Sequence, residues 1–113
     1  MFRVYDSSNS GNKGQPIILQ HGILDSSDTW VVNENHLAPA YILAKKGYDV
    51  WLGNTRGNKH SRNHMKLDPD FSQDEADFFD ISFEEMGDHD YPAMIDYVLA
   101  KTGRKKLAFI AHS

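Results

Sequence analysis

The chain has 113 residues, 40% of them hydrophobic and 25% charged, a globular balance sufficient for one small domain and no more. Twelve basic residues against sixteen acidic ones leave a formal charge of −4. The basic residues are scattered apart from the run Arg104, Lys105, Lys106, which argues against a nucleic-acid partner. With no cysteine, disulfides and thiolate metal sites are excluded, although the compartment is not thereby fixed.

A domain of this size buries only about two-thirds of the surface its unfolded chain exposes, so the completeness of its sheet matters. No apolar run approaches the roughly 18 residues of a membrane span, and the first ten residues lack the apolar core of a signal peptide. The chain reads as soluble, and it contains no Asn-x-Ser/Thr glycosylation acceptor.

In chain order, residues 2–5 are a short β-prone fragment, and residues 7–14, rich in Ser, Asn and Gly, read as a connection. Ile17, Ile18 and Leu19 follow Pro16 as a continuous apolar run, the pattern of a central strand buried on both faces. Residues 37–46 place Leu37, Ala40, Tyr41 and Ala44 at helical spacing, with Lys45 and Lys46 at the negative end of the dipole and Gly47 as a stop. Residues 48–52 (YDVWL) predict a second strand, leading into the glycine-bracketed loop GNTRG.

Residues 58–73 are polar and irregular, the longest connection in the chain. Ser82 and Glu85 form a capping-box pair; beyond them Asp90 and Pro92 suit the start of a helix lined by Tyr91, Met94, Ile95, Val98 and Leu99 and ended by Gly103. Residues 106–111 (KLAFIA) are the third apolar run. Strands alternating with amphipathic helices predict an α/β fold with a mainly parallel sheet.

In open parallel sheets, sites form at the carboxyl ends of the strands. The three runs deliver there His21-Gly22-Ile23, Gly53 to Gly57, and His112-Ser113. Ala111-His112-Ser113 has the look of the first half of a nucleophile elbow, in which small neighbours permit the sharp turn that lifts a serine hydroxyl out of the sheet. The everyday alternative is a serine capping a helix after a strand.

Upstream, LQHGILDSSDTW resembles the oxyanion loop of the acid lipase family, which includes the gastric and lysosomal acid lipases. YILAKKGYDVWLGNTRGNKHSRNH, SFEEMGDHDYPAMIDYVLAKTGRKKL and the last strand into His-Ser are similar to the segments that follow in that family, in the same order, from about Phe2 to Ser113. The family elbow usually has glycine two residues before the serine, where this chain has Ala111.

The resemblance implies an α/β-hydrolase fold and a carboxylic ester hydrolase, a triacylglycerol lipase or steryl ester hydrolase acting in lipid catabolism. Ser113 would be the nucleophile, the backbone N–H of Ile23 an oxyanion donor, and Gly22 with Ile23 the substrate-facing turn. The triad order Ser, Asp, His puts acid and base after Ser113, so the chain is expected to be the N-terminal part of a single hydrolase domain, beginning near the family's second strand and cut at the elbow. Alone it is expected to fold poorly and to lack esterase activity.

The implied partner is a lipid ester at a lipid–water interface, with no cofactor or metal and no statement of oligomeric state. The implied location is secreted or lysosomal, any signal peptide lying upstream of Met1. A rival reading is a non-catalytic lipid-binding or interaction protein on the same scaffold.

His21 is expected to brace the oxyanion loop, and His112 to point away from the nucleophile. His36, His60, His64 and His89 read as solvated surface residues. His60, His64, Asp88 and His89 match no zinc motif, GNTRG matches no phosphate-binding loop, and Arg56 is expected in an internal ion pair. Trp30, Trp51, Phe71, Phe78 and Phe79 read as core aromatics in preference to acyl-chain contacts.

Overall fold

The computed structural model describes residues 1–9 and 13–113. Four strands form one sheet: β1 (Phe2–Val4), β2 (Pro16–Gln20), β3 (Asp49–Leu52) and β4 (Ala108–Ala111), in the spatial order β1-β3-β2-β4. β2 runs parallel to both β3 and β4, whereas β1 is antiparallel to β3. Residues 10–12, the centre of the connection expected over residues 7–14, lie outside the described residues.

All five residues of β2 are buried, because this strand is paired on both edges and covered on both faces. The two-residue period of a strand divides its side chains between two apolar layers. Ile17 and Leu19, with Val50 and Leu52 of β3, pack on Ala40 and Ala44 of the helix α1 (Pro39–Lys45). Ile18 and Trp51 pack on the other face against Met94 and Val98 of the long helix α4 (Tyr91–Thr102). β4 lies at the rim of the sheet, with Phe109 and Ile110 exposed.

Helix α1 is shorter than the 37–46 pattern predicts. The residue before a proline is disfavoured in the helical region, and Ala38 is accordingly extended (φ −68°, ψ 123°) with Pro39 opening the helix. Leu37, counted on the apolar face, is therefore left exposed.

Helix α4 opens at Tyr91, beside Asp90 and Pro92 as expected, but further helical segments lead into it. The short helices α2 (Glu75–Phe78) and α3 (Phe83–Glu85) precede it, and the capping box stands: the Glu85 carboxylate accepts from the Ser82 hydroxyl at 2.5 Å and the Ser82 N–H at 2.6 Å, which together lower its pKa. From α3 the helical path continues through a π-turn, Met86–Asp90, into α4. The wide turn sits just before Pro92, which has no N–H for the regular i→i−4 ladder. Asp90 is thus helical itself (φ −67°, ψ −48°), not an extended cap, and Gly103 ends α4 in the left-handed region at φ 65°.

No helix among the described residues is long and apolar enough to cross a membrane.

Candidate active site

The parallel register brings the carboxyl ends of three strands together: Leu19 pairs with Leu52 and Ile110, and Gln20 with Ala111. The ladder continues past the strands, through Gly53 N–H to the Leu19 carbonyl at 3.0 Å and His112 N–H to the Gln20 carbonyl at 3.1 Å. The two flanking loops are thereby fixed to β2, and the residues after it, His21 and Gly22, lie between them.

Ser113 is exposed at the end of β4 with φ 63°, the one non-glycine left-handed residue among those described. Such a conformation is costly for a residue with a Cβ, and it marks a sharp departure from the strand. Gly22 faces it. A Cβ added to Gly22 would stand 3.3 Å from Ser113 Cβ, 3.3 Å from the His112 carbonyl oxygen and 3.7 Å from His112 Nδ1. A side chain here would press on these neighbours, and glycine leaves the approach free of that contact. The His112 ring nitrogen thus lies beside the Gly22 loop. Ile23 and Leu24, next along, are 64% and 98% exposed, leaving their apolar side chains open to whatever enters the crevice.

Behind this turn lies a buried polar network. His21 Nδ1 is 2.6 Å from the Gly22 carbonyl; its Nε2 meets the Thr55 N–H at 3.3 Å and the Asn58 amide nitrogen at 3.0 Å. Asn58 also donates to Asn54 Oδ1 at 2.8 Å, and Asn54 holds Ser27 through both its backbone N–H and its hydroxyl, each at 3.0 Å. His21 thus braces the loop. The sequence reading missed Asn54, Asn58, Ser27 and Thr55; the available signal was two asparagines four apart in GNTRGN, directly after a strand end.

Arg56 forms its expected ion pair. It reaches Asp90 through Nε at 2.9 Å and Nη2 at 2.7 Å, and its backbone N–H donates to the same carboxylate at 3.0 Å. The pair raises the Arg56 pKa and ties the β3 loop to the π-turn. Two surface histidines are more engaged than expected: His60 Nε2 sits 2.7 Å from Asp28 Oδ1 and its ring meets Phe2 edge-on, while His64 Nδ1 accepts the N–H groups of Lys66 and Leu67. Lys59 completes the Asp28 pairing, and hydrogen bonds from Lys59 and His60 hold the Asp28 carboxyl below the usual range.

Among the aromatics, Trp51 and Phe78 are buried, but Phe71 and Phe79 are exposed, since α2 is too short to cover both rings. A groove of about 340 Å³ lined by Ile23, Leu24, Asp25, Ser26, Asn58 and Lys59 flanks the Gly22 turn. A larger one, about 460 Å³, is bounded by Val4, Tyr5, Tyr41 and Ala44 at the opposite ends of the strands, so its size does not mark the site. Among the described residues, no three His, Asp or Glu side chains are grouped to hold a metal ion.

A mainly parallel sheet with helices on both faces, and a serine lifted from a strand end against a glycine turn, define an α/β protein of hydrolase type. The sequence pattern of the α/β hydrolase fold family matches residues 15–113, and the chain belongs to that family. It is 53% identical over 98 residues to lipase 1 of Drosophila melanogaster, covering 87% of this chain and 21% of that protein. It is 46% identical over 111 residues to human gastric triacylglycerol lipase, covering 96% and 27%, and 38% identical over 115 residues to mouse lipase member K, covering 99% and 28%. The chain spans about a quarter of the length of the curated relatives it matches.

Proposed function

We propose that these residues carry the nucleophile and the first oxyanion donor of a serine-dependent carboxylic ester hydrolase. Ser113 Oγ attacks the ester carbonyl carbon as a base removes its proton, and the carbonyl oxygen, now an oxyanion, is received by the Ile23 N–H. Collapse expels the alcohol and leaves an acyl-Ser113 ester, which water hydrolyses with the same base. The second oxyanion donor is expected from the residue after Ser113 and the base and its acid further along, in the order Ser, Asp, His, so turnover is proposed for the full-length protein and not for these 113 residues alone.

The observation that carries this reading is the left-handed Ser113 standing 3.3 Å from the place of a Gly22 Cβ. Lipid esters are the proposed substrates, supported by the lipase relatives and by the exposed Ile23 and Leu24 at the crevice mouth. A secreted or lysosomal location is the matching proposal, and no cofactor enters the scheme.

The test is labelling of the full-length protein by a fluorophosphonate, with the adduct located by mass spectrometry. Adduct on Ser113, and its loss together with p-nitrophenyl ester turnover in Ser113→Ala, is the expected result. An adduct elsewhere, or none, refutes the assignment and favours a binding role for the scaffold; turnover by the isolated 113 residues refutes the requirement for further chain.

A further inference from the structure

We infer that Asn58 is a positioning residue for the Gly22–Ile23 peptide, acting through the ring of His21; this rests on reading the Ile23 N–H as an oxyanion donor. The Gly22 carbonyl and the Ile23 N–H belong to one planar trans peptide, so whatever fixes the direction of the carbonyl fixes the N–H on its opposite side. That carbonyl is held by His21 Nδ1 at 2.6 Å and by the Asp25 N–H at 3.0 Å. Accepting two hydrogen bonds also polarises the peptide and strengthens its N–H as a donor.

The direction of every bond in the network follows from one group that cannot reverse. The Ser27 backbone N–H only donates, so the Asn54 atom facing it at 3.0 Å is the oxygen. The Asn58 atom at 2.8 Å from that oxygen must then be the amide nitrogen, and its remaining N–H faces His21 Nε2 at 3.0 Å. The Thr55 N–H aims at the same nitrogen. With two donors on it, Nε2 accepts, the ring proton is on Nδ1, and Nδ1 donates to the Gly22 carbonyl. Asn58 therefore joins the Thr55 N–H in selecting the tautomer that holds the Ile23 peptide.

Asn58→Asp, nearly isosteric, reverses this polarity. A carboxylate cannot donate to Nε2, so the neutral ring moves its proton there and turns a lone pair on Nδ1 toward the Gly22 oxygen. The doubly protonated ring donates at both ends and restores the contact.

In the full-length protein, Asn58→Asp and Asn58→Leu are expected to slow phosphonylation of Ser113 and to lower kcat on a p-nitrophenyl ester by about tenfold or more near pH 8, with KM nearly unchanged. For Asn58→Asp alone, the rate relative to the parent protein recovers as pH falls through the imidazole range, roughly 8 to 5. Arg56→Ala, which loosens the same loop through Asp90, leaves phosphonylation unchanged and controls for general destabilisation. Nitrogen NMR of His21 supplies a readout free of catalysis: Nδ1–H in the parent protein, and a different protonation pattern in Asn58→Asp.

Rates within twofold of the parent for both Asn58 variants, a relative rate independent of pH, or an unchanged His21 tautomer would overturn the relay. Absence of labelling in the parent protein, with the tautomer and its change as expected, would instead sink the hydrolase reading and leave the network a purely structural brace.

Discussion

Arg3 and Asp49 offer a test of how burial divides the cost of an ion pair between its partners. Asp49 opens β3 with its side chain 2% exposed, and Arg3 on β1 meets it through Nε at 2.8 Å and Nη2 at 2.6 Å. The Arg3 head is 30% exposed and lies 4.5 Å above the Trp51 ring. Removing one partner of a buried pair costs about 3–5 kcal/mol when the other is stranded away from water. Arg3→Met strands a buried carboxylate and should cost that full amount. Asp49→Leu strands a guanidinium that can swing into solvent, so about 2–3 kcal/mol is expected.

The double substitution leaves no charge behind and should be more stable than Arg3→Met alone. Urea unfolding of the intact protein, followed by tryptophan fluorescence with Trp51 beneath Arg3, measures all four species. If Asp49→Leu is as damaging as Arg3→Met, or if the two costs simply add, the burial argument is wrong.

Gly22→Ala should lower kcat/KM by about tenfold to a hundredfold with little loss of stability, because the new methyl meets the His112 backbone at 3.3 Å and displaces the donor peptide; ester turnover beside a thermal melt checks this. The Asp28 carboxyl is held below its ordinary pKa by Lys59 and His60, so its contribution to stability is present above the unfolded-state value near 4 and is lost as pH falls through the lower folded one. Asp28→Asn should therefore lower the melting temperature slightly at pH 7 and progressively less as pH falls below about 4; a difference that does not shrink in acid refutes the assignment.

The fold was legible where periodicity and punctuation agreed. The apolar run Ile17, Ile18, Leu19 announced a doubly covered strand, and Gly103 announced the end of α4, since each signal is local and strong. The π-turn ahead of α4 was not foreseen, because it has no sequence signature distinct from a cap. Phe71 and Phe79 were misassigned because aromatic residues carry no mark of whether a neighbouring element is long enough to cover them.

At the site, Ser113, Gly22 and Ile23 were singled out from the elbow and the loop motif, and the fold brings Ser113 beside Gly22. The His21 brace was foreseen, but its partners were not. Hydrogen-bond direction among Ser27, Asn54 and Asn58 depends on segments that only the folded sheet brings together.

The sheet order imposes a schedule on synthesis. β2 is the hub, yet its partner β4 is made long after it, once α1, β3 and α4 have been translated. At about 5–20 residues per second, the ribosome leaves a largely apolar strand waiting roughly 5–20 s for that neighbour. Over that interval β2 is a target for holdase chaperones and for intermolecular β-pairing, and a slower codon stretch between β3 and β4 should lower soluble yield without altering a single contact of the finished fold.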